Sequence, residues 1–161
     1  ASLERQALEQ LKSVTGVVPA IVTHEGGGDL LLNVLNGTLD IGVGEAQEIR
    51  SQLEAGRIRL LAVFSENRMK GLPNVPTVKE FGYDLVLTKF RGLAGPPGTP
   101  PAITAALETA IQHLLDSSEY RAVYEEGMLT ASYMPHEEFE RFIGTFAAET
   151  ESFLRNTGVI Q

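Results

Sequence analysis

The sequence predicts an α/β fold built on a mainly parallel sheet, and three observations carry that expectation. Amphipathic segments alternate with short β-branched ones from the N-terminus to residue 65. Two glycine turns, one at Gly26, Gly27 and Gly28 and one at Gly44, each follow an extended segment and precede a helix-forming one. The stretch "RIRLLAVFS" at 57–65 has the apolar run of a strand covered on both faces. Helix and strand in strict alternation is the rhythm of a sheet joined by right-handed crossovers.

Residues 2–14 place Leu3, Ala7, Leu8 and Leu11 on one helical face, which Thr15-Gly16 ends. Residues 17–23 read as a strand, and 29–36 as a short helix stopped at Gly37. "TLDIGV" at 38–43 reads as a second strand. Gly44 then opens the helix "EAQEIRSQLEAG", which ends at Gly56. After the strand at 57–65 the rhythm breaks. "ENRMKGLPNVPTVKEFGYD" is punctuated by prolines and glycines and reads as a long surface connector with one helical turn at 78–81. Residues 84–94 read as a further strand that ends in a proline turn.

Thr99-Pro100 offers a hydroxyl cap followed by a first-turn proline, a strong helix start. That helix places Ile103, Leu107, Ala110, Ile111 and Leu114 on one face, the side expected to be buried. Ser117 or Ser118 begins the next helix, which closes at Gly127, and "LTASYM" reads as a short strand. Pro135 opens the last helix, where Phe139, Phe142, Phe146 and Phe153 recur at helical spacing as a packing stripe.

With 161 residues the chain has the length of one domain or two small ones, and 43% hydrophobic residues are enough for a core. No apolar run reaches the ~18 residues of a membrane span. The start, "ASLERQALEQ", enters a helix almost at once, as if the chain began partway through a fold. Thirteen Lys and Arg against 21 Asp and Glu give a net charge of −8. That balance offers no basic face for nucleic acid, whose binding depends on neutralising phosphates. A small anion remains a suitable ligand provided that local donors are aimed at it, because the long-range field repels it. The absence of cysteine excludes disulfides and thiolate metal sites and fits periplasm and cytoplasm equally.

No nucleophile elbow, metal-binding histidine pair or complete phosphate loop is present. "GVGEAQ" lacks the third glycine of a dinucleotide fingerprint, and "EGGGDLL" lacks the lysine and hydroxyl residue of a P-loop. His113 and His136 read as structural, whereas His24 lies beside the glycines. Glu45 and Glu48 share a helix face, as solvated charges commonly do. The remaining chemistry is that of the two glycine turns. Backbone N–H groups at a helix start attract anions, and two such starts at the carboxyl edge of a sheet would hold a carboxylate or phosphate. The alternative is that these glycines only make tight turns.

Three segments, "GGGDLLLNVLNGTLDIGVG", "LEAGRIRLLAVFSENRMKGLPNVPTVKEFGYDL" and "FRGLAGPPGTPPAITAALETAI", occur in the order and spacing found in one family. The chain resembles the solute-binding receptors of tripartite tricarboxylate transporters, the Bug receptors. The resemblance covers essentially the whole chain and matches the second half of a pattern nearly twice as long. It implies a type II periplasmic-binding-protein-like fold in part. Residues 1–88 would be a second ligand-binding lobe truncated at its N-terminus, and residues 89–161 the crossing strand and C-terminal helices of the first lobe.

The resemblance further implies a non-catalytic periplasmic receptor that takes a di- or tricarboxylate or an amino acid. The receptor would deliver this solute to a membrane permease without cofactor or metal. Position by position it assigns Gly26, Gly27 and Gly28 to a ligand loop, Gly44 and Glu45 to a cleft-facing turn, and Ser2 to the end of another cleft loop. Arg91, followed by Gly92, matches a W-R-G motif with Phe90 in place of tryptophan. His24, Glu25 and Glu45 depart from the family pattern, and the added negative charge suits a ligand that also carries an amine. Other readings are a sensory module that docks through "NRMKGLPNVPT" and, more weakly, a carboxylate-acting enzyme. An isolated half-cleft is expected to bind weakly, and exposed strand edges would favour a swapped dimer.

Overall fold

A computed structural model describes residues 2–160 and divides the chain into two compact units, Ala1–Lys89 and Phe90–Gln161. In the first unit, helix α1 spans Leu3–Thr15. The Ser2 hydroxyl accepts from the Arg5 N–H at 3.3 Å and caps it. Gly16 closes it in the left-handed conformation, φ 72°, which glycine adopts without a Cβ penalty. On the buried side of α1 lies Glu9, only 7% exposed, which ion-pairs with Arg5 at 2.6 Å and Lys12 at 2.9 Å. The Lys12 ammonium, helped by Arg5, holds the Glu9 carboxyl below its ordinary range against the opposing effect of burial.

Helix α2 spans Gly27–Leu35. Its Leu30 and Val34 side chains lie against the extended segment that follows. A Cβ on Gly42 would meet Val34 at 3.1 Å and Leu30 at 3.2 Å, and one on Gly44 would meet Leu30 at 3.4 Å. Glycine at 42 and 44 therefore lets α2 approach this backbone closely. A 3-10 turn at Ala46–Ile49 runs into the short helix α3, Arg50–Glu54, where a single continuous helix was expected.

The expected strands are the main correction. Among the described residues the only β pairing is one parallel bridge, between Val63 and Thr77. Residues 17–23, 38–43, 57–65, 84–94 and 129–134 form no ladder. A strand is defined by a neighbour that takes up its N–H and C=O groups, and these segments have none beyond the bridge and isolated bonds such as Leu87 N–H to Phe64 O at 2.8 Å. Many of their apolar residues stay open, with Val17, Val18, Val22, Ile41 and Leu61 all exposed, whereas Leu85 is buried.

The connector after residue 65 is more than a surface loop. It supplies Leu72, Thr77 and Val78 to the core, and Thr77 is only 2% exposed. Arg68 orders it, with Nε and Nη2 donating to the Glu80 carboxylate at 2.9 and 2.5 Å and Nη1 donating to Pro73 O at 3.1 Å. Glu80 accepts in turn from the Thr77 N–H at 2.9 Å, at the entry to the 3-10 turn Lys79–Phe81. The Arg68 guanidinium, with the Thr77 amide, brings the Glu80 carboxyl down to about 2.

In the second unit, helix α4 spans Pro101–Asp116. The expected Thr99 cap is not made. Pro100 occupies the cap position, and the Thr99 hydroxyl donates backwards to Pro96 O at 2.7 Å. The face expected to be buried is open, with Ile103, Leu107 and Leu114 at 52%, 51% and 47% exposure. Helix α5, Ser118–Glu126, is capped by Ser117, whose hydroxyl accepts from the Tyr120 N–H at 3.2 Å. Gly127 follows, but the left-handed residue at this exit is Met128, φ 54°.

Helix α6 spans His136–Asn156. Its first amide is satisfied from α4, because Glu108 Oε1 accepts from His136 N at 2.5 Å and lies 2.9 Å from its Nδ1. Three rings of the expected phenylalanine stripe, Phe139, Phe142 and Phe146, pack together. Phe90 sits edge-on to Phe139, Phe142 and Phe146 at centroid distances of 5.8, 5.1 and 5.2 Å. Gly92 lies beneath Phe139, leaving no space for a side chain.

Two expectations follow. Glu80 titrates near 2 in the fold against 4.5 for the unperturbed group, so its stabilisation is fully present above pH 4.5. It is lost as pH falls from 4.5 towards 2. Urea midpoints measured across that window should fall more steeply for the unaltered chain than for Glu80→Gln, which starts lower. In the second unit, Phe90→Ala removes three edge-to-face contacts and should cost about 2 kcal/mol by denaturant unfolding.

Candidate carboxylate-binding edge of the first unit

The site grows from the start of α2. Gly26 is its cap residue, in extended conformation (φ −161°), and contributes no side chain. The first helical bond is Leu30 N–H to Gly26 O at 3.3 Å. Among the described residues, the N–H groups of Gly27, Gly28 and Asp29 donate to no protein acceptor. These are the orphan donors of a helix start, at the positive end of the helix dipole. Gly26 and Gly28 face open space, with nothing within 4 Å of an added Cβ.

Gly27 differs from its neighbours. The Glu48 carboxylate lies directly over it, with Oε1 2.6 Å from the position of a Cβ. Glu48 Oε2 is also 3.7 Å from the Cβ position of Gly44. The two glycine turns that the sequence singled out therefore meet at one carboxylate of the chain itself. That carboxylate lies at the helix start, where an anion is electrostatically favoured.

Glu45, next to Gly44, is engaged by Lys89. Lys89 Nζ lies 2.6 Å from Glu45 Oε1 and 2.7 Å from Glu4 Oε1 in the first turn of α1. Burial pushes the Glu4 carboxyl up. Lys89, the backbone amide of Glu4 and the Ser2 hydroxyl outweigh it, so the net shift is downward. Hydrogen bonds first to Glu4 and then to Glu45 hold the Lys89 ammonium above its ordinary range.

Of the residues expected at the site, Gly27 and Gly44 share one carboxylate neighbour, and Gly26 and Gly28 flank the same helix start. Glu45 follows in sequence and is tied through Lys89 to Glu4, two residues from the Ser2 cap. His24 is half-buried, and its Nε2 is enclosed without a hydrogen-bond partner among the described residues. Arg91 lies in the second unit and is exposed. Sequence reasoning missed Lys89 and the placement of Glu48. A lysine inside the apolar stretch "LVLTKF" was the available signal for the first. Glu48 carried no signal beyond an ordinary helix-face charge. Among the described residues no group of acidic and histidine side chains is arranged to hold a metal ion.

Comparison with solved structures defines the class. The chain superposes on an R. palustris protein solved with adipate at a TM-score of 0.81 and 26% identity, covering 98% of this chain and 53% of that one. It superposes equally on a TctC solute-binding protein from Polaromonas solved without ligand, at 0.79 and 27%, covering 97% and 54%. The architecture is thus a partial periplasmic-binding-protein-like α/β fold, although its extended segments form no ladder here.

The family model for the tripartite tricarboxylate transporter family receptor, TctC, matches residues 2–159, and the chain belongs to that family, one of solute-binding proteins and not of enzymes. Curated relatives include a UPF0065 protein from the gbd 5' region of Cupriavidus necator, 26% identical over 152 residues, which are 94% of this chain and 46% of that protein. Protein BugT of Bordetella pertussis is 27% identical over 112 residues, 69% of this chain and 33% of its own length. The chain spans about half the length of the relatives it matches, or less.

Both glycines should tolerate alanine. Gly27→Ala must displace the Glu48 carboxylate, but that is the end of an exposed, flexible side chain that can swing aside at little cost, and Gly28→Ala faces open space. Each should change stability by less than about 1 kcal/mol. Parallel circular-dichroism melts check this, and a large loss in Gly27→Ala would overturn it.

Proposed function

We propose that this chain provides part of an extracytoplasmic, periplasmic receptor that captures a small carboxylate and delivers it to the permease of a tripartite tricarboxylate transporter. No bond of the solute is made or broken. Family membership supports the reading, as does the description of the R. palustris neighbour, which holds the dicarboxylate adipate. The observation that carries it in this chain is the row of unspent amides at Gly27, Gly28 and Asp29, opening beside the Gly44 turn. Residues 1–88 would serve as a second lobe and residues 89–161 as the C-terminal contribution to the first.

Each charge-assisted hydrogen bond from such amides contributes roughly 1.5–3 kcal/mol. Two of them, with solvent still reaching the anion, support a dissociation constant on the order of 1 mM. Docking through the connector is not favoured as a separate function, because Arg68, its prominent cation, is committed to Glu80 and Pro73.

Amide-resolved NMR titration of the chain with adipate, citrate and glutamate tests the proposal. Saturable shifts should concentrate at Gly27, Gly28 and Asp29 while the ligand spectrum stays chemically unchanged. Shifts confined to other regions, or conversion of the ligand, would overturn it.

A further inference from the structure

We propose that Asn36 is a site of spontaneous deamidation, in which the Gly37 backbone nitrogen displaces the side-chain amide, and that opening of the exit of helix α2 sets its rate. The proposal stands apart from the receptor reading. Among the asparagines of the chain only Asn36 precedes a glycine. Asn33, Asn67, Asn74 and Asn156 precede Val34, Arg68, Val75 and Thr157, whose side chains crowd the backbone nitrogen. Asn36 and Gly37 are both exposed, so water reaches them.

The chemistry needs only water. The Gly37 nitrogen gives up its proton to hydroxide and bonds to Asn36 Cγ, while Nδ2 takes up a proton and leaves as ammonia. Water opens the resulting five-membered imide at either carbonyl. Breaking the bond between the nitrogen and Cγ gives aspartate. Breaking the bond between the nitrogen and the Asn36 main-chain carbonyl carbon gives isoaspartate, with the main chain rerouted through Cβ and Cγ. Either way an amide and water have become a carboxylate and ammonium, with nothing oxidised or reduced.

The fold restrains this reaction. Asn36 closes α2 with φ −87° and ψ −3°. A ψ near zero eclipses the Gly37 nitrogen with the nitrogen of Asn36. Ring closure requires it over Cβ instead, roughly a third of a turn away about the Cα–C bond. Three hydrogen bonds oppose that rotation. Gly37 N–H donates to Val34 O at 3.2 Å, Thr38 N–H to Asn36 Oδ1 at 2.9 Å, and Leu39 N–H to Asn33 O at 3.0 Å. The turn must therefore open first, and helix ends open more readily than cores. Gly37 makes the turn at φ 79°, and the same missing side chain leaves its nitrogen unhindered.

The products act on the helix. A carboxylate at the C-terminal end of α2 opposes the helix dipole. Isoaspartate also lengthens the main chain by one carbon between residues 36 and 37, which moves the three amides off their acceptors. The segment they anchor is the one whose Gly42 and Gly44 lie against Leu30 of α2.

The experiment ages the chain at neutral and mildly alkaline pH, both folded and unfolded in guanidinium chloride, and then digests it with trypsin. Fragment-ion mass spectrometry reads each asparagine, and labelling by isoaspartyl methyltransferase reads isoaspartate. The folded chain should gain just under one mass unit at Asn36 before any other asparagine, faster as hydroxide rises. Unfolding should accelerate that change about tenfold. The thermal midpoint of the aged chain should fall by about a few degrees, whereas aged Asn36→Gln, which would need a larger ring, should keep its own. No change at Asn36, or an equally fast one at another asparagine of the folded chain, overturns the proposal. Equal rates in folded and unfolded chain overturn the control by α2. A loss of midpoint shared by aged Asn36→Gln overturns the effect on the helix.

Discussion

The first unit depends on one guanidinium. Arg68 spans the connector from the Glu80 carboxylate to the Pro73 carbonyl, and Glu80 passes the constraint on to the Thr77 amide. Thr77 is then positioned for the parallel bridge, in which Val63 N–H donates to Pro76 O and Val78 N–H to Val63 O, both at 2.9 Å. Leu72, Thr77 and Val78 enter the core as a consequence. A planar cation with several fixed donors suits this task, because it can hold a carboxylate in two-pronged fashion and still reach a backbone oxygen.

The same chemistry, arranged differently, shapes the candidate site. Its donors are backbone amides, which carry no net charge and so do not alter the acidic character of the chain. The charged side chains beside them are mostly carboxylates. Glu48 rests on Gly27 at the positive end of α2, where the local field favours an anion even without a direct hydrogen bond. Glu45 and Glu4 are brought close to each other by Lys89. One ammonium against the carboxylates of Glu4, Glu45 and Glu48 leaves this group of side chains with a net negative charge.

The second unit shows how far a local pattern can be satisfied without a complete core. The Phe139, Phe142 and Phe146 rings, brought together by their helical spacing, stack along α6 and take Phe90 edge-on. The apolar face of α4 stays open. Both faces have the same periodicity in sequence. What separates them is whether another element of the described chain lies opposite. Similarly, the cap of α6 comes from Glu108 on α4, a pairing across 28 residues that no local signal announces.

The sequence by itself determined the helices, most of their ends and the glycine turns, because these depend on interactions within a few residues: capping at Ser2 and Ser117, the left-handed exit at Gly16, and apolar spacing. It also carried the family resemblance, through the order of its motifs. Tertiary structure alone decided which extended segments pair, since a ladder needs a neighbour's backbone, and among the described residues only Val63 and Thr77 meet as a bridge. It likewise decided that Gly42 and Gly44 are small because α2 lies on them, and that Lys89 joins Glu45 to Glu4. Contacts over such separations follow from where the chain folds back on itself, and the spacing of residue types does not encode that.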